Sequence, residues 1–403
     1  MVDVSRRAVL ASTALAVWGV PARRQVALPR PGSPFVLPPA PAAAAAPSFS
    51  ESFIDHDPPL DYVHCPSLCP LPDGRLLCTW YAGSREGARD VAVFLAESAG
   101  GGSPGSDLAG SDPAGSNLPG SDTTWSPPRA IIDPRTATAE LGRFVAKVGN
   151  AVIFADAGGR PWIVYVSIAV GGWSGSSLNA CSSPDGGRTW SASQRLPLSP
   201  FFNISELVRA APVLTADGTI GLPAYHECLG KFPEMLWLKA DGDRLLATKT
   251  RLAGGRAWLQ PAVVPLDERS ALAFLRNHAE PRRLLVQRSD DAGKTWSPPA
   301  DTSLPNPDAS IAAVRLSSGA VLLAFNDSPR DRTNLRLAVS ADGVGDWQRI
   351  ATLAEEPGGS FGYPYMIQDA AGTVHLVHEW NKQRVRHLAF NEAWIAARRE
   401  ATA

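Results

Sequence analysis

The stretches Ser183-Pro184-Asp185-Gly186-Gly187-Arg188-Thr189-Trp190 and Ser289-Asp290-Asp291-Ala292-Gly293-Lys294-Thr295-Trp296 decide the fold. Both fit Ser-x-Asp-x-Gly-x-Thr-Trp. In such a box the Asp carboxylate caps backbone N–H groups of a tight turn, Gly permits a left-handed residue and Trp packs beneath. The box is a staple for a hairpin on the outer part of a sheet, not a reaction centre. Ser340-Ala341-Asp342-Gly343 through Trp347 is a degraded copy, and Ser121-Asp122-Thr123-Thr124-Trp125 keeps only its end.

Working outward from the boxes, a second kind of hairpin repeats six times, each an apolar strand, a tight turn and another apolar strand. The turns fall at Asp73-Gly74, Gly158-Gly159, Asp217-Gly218, Asp267-Glu268-Arg269, Ser318-Gly319 and Ala371-Gly372. After the first gap they recur roughly every 50 to 60 residues, the span of one four-stranded propeller blade. A β-sandwich or β-helix does not explain so long a period with two hairpins per unit. The expected fold is all-β, a six-bladed β-propeller over residues 47–392, with a tail at 393–403. Residues 98–122, rich in Gly, Ser, Pro and Asp, read as a flexible insertion in the first blade.

Counting nine residues back from each turn gives Cys65, Asn150, Arg209, Gln260, Ser310 and Tyr363. Equivalent positions in six blades share one ring, here at the mouth of the central channel. An inert ring would be small or apolar, since inner strands crowd the axis. Five of these six are polar, which marks a functional rim.

Composition narrows the partners. The formal net charge is −1 over 403 residues, and no Lys/Arg block suggests nucleic acid or an anionic membrane. Arg6-Arg7 precede an apolar stretch to about Val20, too short to span a bilayer comfortably. The pattern reads as a twin-arginine export signal, with cleavage after Ala22 or within Ala42 to Ala46. Residues 1–46 are expected to be signal and Ala/Pro-rich linker, and the protein periplasmic or secreted. Cys65, Cys69, Cys78, Cys181 and Cys228 have no zinc-site spacing and read as small buried hydrophobes. No metal motif or cofactor motif is visible.

From Ser48 to Asn391 the chain resembles the sialidase-like BNR/Asp-box superfamily, in its bacterial predicted-neuraminidase branch. The carriers are the two full boxes, Gly83-Ser84-Arg85-Glu86-Gly87-Ala88-Arg89-Asp90, Leu304-Pro305-Asn306-Pro307 and Tyr363-Pro364. The resemblance implies arginines gripping a substrate carboxylate, a Tyr nucleophile activated by a Glu, and an Asp acid/base. Tyr363 matches the nucleophile, Arg276 the second arginine, and Arg332 the third, with Arg330 as rival. Asp90 lies where the acid/base belongs, with Glu86 the alternative and Arg85 beside them. Two positions depart: His64 stands where the first arginine is expected, and Gln260 where the Glu is. Glu227 is the candidate to take over from Gln260.

The resulting expectation is an exo-acting glycoside hydrolase on an acidic terminal sugar, bound by Arg85, Arg209, Gln260, Arg276 and Arg332. Two alternatives remain. A uronate lyase would pair His64 or His226 with Tyr363 to abstract a proton, and a non-catalytic propeller would only bind carbohydrate. Asn306 and Asp308, ahead of a blade-five strand, either line the pocket or cap a turn, and capping is the favoured reading.

Overall fold

The computed structural model describes residues 27–39, 45–99, 123–199 and 203–402. The twin-arginine motif and nearly all of the 98–122 insertion lie outside them. Six antiparallel sheets follow one another in the chain, as the hairpin count requires. Their innermost strands are Tyr62–Pro70, Lys147–Ala155, Glu206–Val208 with Val213–Leu214, Trp258–Pro265, Ala312–Arg315 and Phe361–Gln368. The third is interrupted at Arg209, where two short strands share the partner Ile220–His226.

The circle is closed by chain from the opposite end. Phe49–Ile54 pairs antiparallel with Arg384–Phe390 and becomes the outer strand of the sixth sheet. The pairing covers the edge of Arg384–Phe390 that would otherwise be left open. Tryptophans and aliphatic side chains between neighbouring sheets, such as Trp80, Trp162 and Trp237, are fully buried.

The boxes form as the sequence predicts. Ser183 Oγ accepts from Gly187 N at 2.7 Å, and Asp185 accepts from Thr189 N and Oγ1 at 2.8 and 2.7 Å. The second box repeats these bonds around Ser289 and Asp291. These bonds to the backbone and hydroxyl of Thr189 hold the Asp185 carboxyl down at about 2.

Three expectations are corrected. Residues 27–39 are not linker: they dock across the turns of blades three and four. Phe35 is 3 % exposed among Val213, Trp237, Val263 and Trp296. Phe35 N donates to Glu268 O, Val36 N to Leu214 O and Ala216 N to Pro34 O, at 2.8 to 2.9 Å. Residues 393–402 of the expected tail belong to a helix, Glu392–Thr402, that buries Trp394 and Ile395 against the last two blades. Of the cysteines, Cys228 is exposed; the other four are buried, and all are free thiols.

Truncating Phe35→Ala leaves an aromatic-sized void beneath this strap. It is expected to lower unfolding free energy by about 3–5 kcal/mol in denaturant titration; a loss under about 1 kcal/mol would mean the strap merely rests on the propeller.

Candidate active site

Four ring residues share one local distortion. Cys65, Asn150, Gln260 and Tyr363 have left-handed backbone angles, φ of 53°, 41°, 49° and 49°. Each sits where strand register shifts, between His64 and Ser67, Gly149 and Val152, Leu259 and Ala262, and Gly362 and Tyr365. An extra residue there bulges the inner strand and re-aims its side chain.

Tyr363 is the centre of the cluster that results. Arg276 Nη1 donates to its hydroxyl at 3.4 Å and to Gln260 Oε1 at 3.1 Å. The Arg332 guanidinium lies 5.2 Å from the phenol ring centre, and the His64 ring centre lies 4.0 Å away. Arg276 Nε bonds Asp308 Oδ1 at 2.7 Å, while Arg332 Nη2 donates to the Asp308 carbonyl at 2.8 Å. Burial opposes the Asp308 charge, but Arg276 outweighs it and holds that carboxyl below its ordinary value. Across the channel, Tyr225 Oη accepts from the side-chain amides of Asn150 and Gln260, both at 3.1 Å.

His64 is ion-paired through Nδ1 with Glu379, both fully enclosed. Burial pulls the imidazole pKa down, but Cys65 and the Glu379 carboxylate push harder, so it lies well above 6.5. His64 is thus held as a cation where an arginine was expected. Glu379 faces Gly362 across the strand pair, and a Cβ on Gly362 would stand 3.0 Å from its Oε1. Glycine at that position makes room for the pair.

Glu227 is part-buried at the end of the strand carrying Tyr225. Desolvation raises its pKa above 4.5, against Lys231 and Arg276, with Asp308 adding to the rise. Glu86 accepts from Trp173 Nε1 at 3.4 Å. Trp173 packs on Tyr81 (6.2 Å between ring centres), which in turn meets His64 at 5.3 Å. Glu86 therefore contacts the aromatic wall leading to Tyr363.

The structure brings together Tyr363, His64, Gln260, Arg276 and Arg332, with Glu227 close to Arg276. It separates others from the expected roles. Arg209 is corrected: it is 3 % exposed and donates to the carbonyls of Pro66, Tyr363 and Pro364, so no guanidinium fork is left for a ligand. Asp90 accepts from Ser84 N and Oγ, both at 3.0 Å, and closes its own loop. Arg85 is exposed on that loop, and Arg330 is exposed while Arg332 meets the phenol. Asp308 is more than a cap, because it orients both arginines. His226 stacks on Phe232 and accepts from Leu229 N. With Glu206 and Glu234 it brings ligand atoms within 4.8 Å of one another, but Lys249 is ion-paired with both carboxylates. Sequence reading missed Glu379, Tyr225 and Trp173. Only Tyr225 had a signal, its place beside His226 and Glu227.

These features define a six-bladed propeller of sialidase type, with its polar cluster at the mouth of the axial channel. The family model described as BNR repeat-like domain matches residues 74–376, and the chain belongs to that family. A protein of unknown function from Dyadobacter fermentans shares the fold with a TM-score of 0.64 at 15 % identity, over 85 % of this chain and 97 % of that one. A Hadza microbial sialidase gives 0.64 at 16 %, over 84 % and 68 %. The intramolecular trans-sialidase of Ruminococcus gnavus gives 0.61 at 13 %, over 85 % and 97 %. No curated protein matches the sequence.

The His64–Glu379 pair has a stability signature. With the folded pKa raised, its contribution is complete below the unfolded value near 6.5 and is lost as pH rises through the folded value. Glu379→Gln is expected to cost about 3–5 kcal/mol near neutral pH and to abolish this alkaline decline. Chemical denaturation across a pH series reads both, and an unchanged pH dependence would refute the pair as its source.

Proposed function

We propose that this protein is an exo-acting glycoside hydrolase that removes a terminal acidic sugar from a glycan. The supporting observation is a phenol set among cations, with Arg276, Arg332 and His64 around Tyr363. Guanidinium groups grip a planar carboxylate in two-pronged fashion and keep their charge at any working pH. A sugar carboxylate on Arg276 and Arg332 would bring its anomeric carbon to the Tyr363 hydroxyl. His64, held cationic by Glu379, would supply the third positive contact.

In this reading Tyr363 Oη attacks the anomeric carbon while Glu227 takes the phenolic proton. Gln260 cannot do so, because its amide is neutral and already bonded to Arg276 and Tyr225. A raised pKa makes Glu227 a stronger base than an ordinary carboxylate. Glu86 would protonate the departing oxygen, then draw a proton from the water that releases the sugar from Tyr363, while Glu227 returns its proton to the leaving phenol oxygen. Glycan turnover outside the cytoplasm fits the twin-arginine pattern, and we place signal cleavage before Ala27, because the docked strap has to survive it.

A second reading rests on the close approach of the His64 and Tyr363 rings. Unprotonated, that imidazole could remove the proton beside a uronate carboxylate and give an unsaturated sugar. A third outcome, binding without turnover, would leave only a lectin-like role.

A screen of acidic glycans with product masses separates the three. A hydrated sugar supports hydrolysis, an ultraviolet-absorbing unsaturated product elimination, and an unchanged glycan binding alone. Tyr363→Phe is expected to lower kcat by at least about 10²-fold while leaving the melting curve intact; undiminished turnover would discard the mechanism.

The pH profile follows from the two shifts. Activity should rise as Glu227 loses its proton above 4.5, and fall as His64 loses its charge well above 6.5. In Glu227→Gln the residual activity should lack the acid limb, which initial rates between pH 4 and 9 would test.

A further inference from the structure

The proposed chemistry engages Arg276, Arg332 and His64, and leaves another cation at the mouth without a task. Lys231 lies in the loop between Ile220–His226 and Phe232–Asp241, the second and third strands of blade three. Backbone bonds lace that loop to the segment entering blade four. Lys231 N donates to Arg256 O and Trp258 N to Lys231 O, both at 3.2 Å, and His278 N donates to Ala257 O at 3.4 Å. Gly230, with φ of 127°, lets the Arg256 stem lie along the loop, since a Cβ there would stand 3.0 Å from Arg256 Cδ. Lys231, Arg256 and His278 are thus carried on adjoining backbone at the mouth end of blades three and four. Among the described residues, none of these three side chains has a hydrogen-bond or ion-pair partner.

The charge of Lys231 also bears on the reaction centre. Burial raises the Glu227 carboxyl, and Lys231 works against that rise together with Arg276. At Asp308 burial again raises the pKa; Arg276 overcomes it, and Lys231 and His278 add to the lowering. An ammonium whose field reaches both carboxylates, with an ion pair to neither, is left facing the pocket that Arg276 lines. The other acids of this side are taken, Asp308 by Arg276 and Glu280 by Arg282. Resting on the acidic-sugar reading, we infer that Lys231 is the core of a second anion subsite, which takes a sulfate ester carried by the same terminal sugar that Arg276 and Arg332 hold. The two kinds of cation suit two kinds of anion. Guanidinium forks match a planar carboxylate, whereas an ammonium is a compact point charge with three donors and accepts a tetrahedral oxyanion from any side. Lys231 is part-buried, while Arg256 and His278 are exposed at the edge of the subsite. The ester oxygens therefore keep water on one side as they meet the ammonium on the other, which limits the cost of desolvating them.

Calorimetric titration of the intact protein with free sugars, which carry no glycosidic bond to cleave, tests the subsite. The probes are glucuronic acid and N-acetylneuraminic acid, each set against its sulfate monoesters. At least one monoester is expected to bind about tenfold more tightly than its parent acid. Lys231→Met keeps the length of the side chain and removes its charge. It should erase that gain while leaving the affinity of the parent acid within about twofold, and Lys231→Arg should retain part of the gain. A gain that survives Lys231→Met overturns the subsite, and so does the failure of every monoester to exceed its parent; either result leaves the acidic-sugar reading standing. Equal losses for parent and ester in Lys231→Met would mean that the ammonium only adds to the general field of the mouth, and would also overturn it. Absence of binding for every probe overturns the acidic-sugar reading and the subsite together.

Discussion

An extra residue in the inner strand, repeated at one height in four blades, is the constraint on which the site depends. It forces Cys65, Asn150, Gln260 and Tyr363 into a conformation that side chains with a Cβ resist, at a cost of about 1–3 kcal/mol each. The bulge also takes local carbonyls out of the strand ladder, and a buried carbonyl needs a donor. Arg209 supplies donors to Pro66, Tyr363 and Pro364, which lie on blades one and six. A guanidinium from blade three thus holds the distortion that presents Tyr363. The gap in blade three's inner strand is where this arginine departs from the ladder.

The charges at the mouth are arranged in advance. Asp308 fixes Arg276 through its side chain and Arg332 through its carbonyl, and Glu379 fixes His64. Cations pre-oriented in this way lose little freedom when an anion arrives, which is how a rigid site favours one charge pattern. The phenol between them is braced by the Tyr225 hydroxyl through Gln260, so the residue at the expected base position has become part of the frame. Arg209 therefore braces the bulged backbone, while Arg276 and Arg332 are held in place around the phenol.

Much of this was legible before any coordinates. Hairpin spacing located the ring because every inner strand runs from the mouth to a turn of fixed type, so equal distance from the turn means equal height. That arithmetic placed Tyr363 and Gln260 together, and the family pattern added Arg276 and Arg332. Glu379 stayed hidden because the bulge in its own hairpin shifts the pairing, putting it opposite Gly362 in a register that counting from the turn misses. Arg209 was found at the right height but given the wrong task, since sequence does not reveal that neighbouring strands leave carbonyls unpaired. Phe35 was unreadable for a simpler reason: a lone aromatic among prolines and alanines has no period.

By itself, the sequence determined the number of blades, the turns that join their strands and the height at which polar residues meet the channel. These are local matters, set by turn chemistry and by the two-residue alternation of strands. Only the tertiary structure decided that Arg209 spends its guanidinium on backbone carbonyls while Arg276 and Arg332 gather around Tyr363, that a buried carboxylate keeps His64 charged, and that an N-terminal strap belongs to the fold. Each depends on groups far apart in the chain becoming neighbours in a dry interior, where an unpaired charge or carbonyl is costly enough to select its partner.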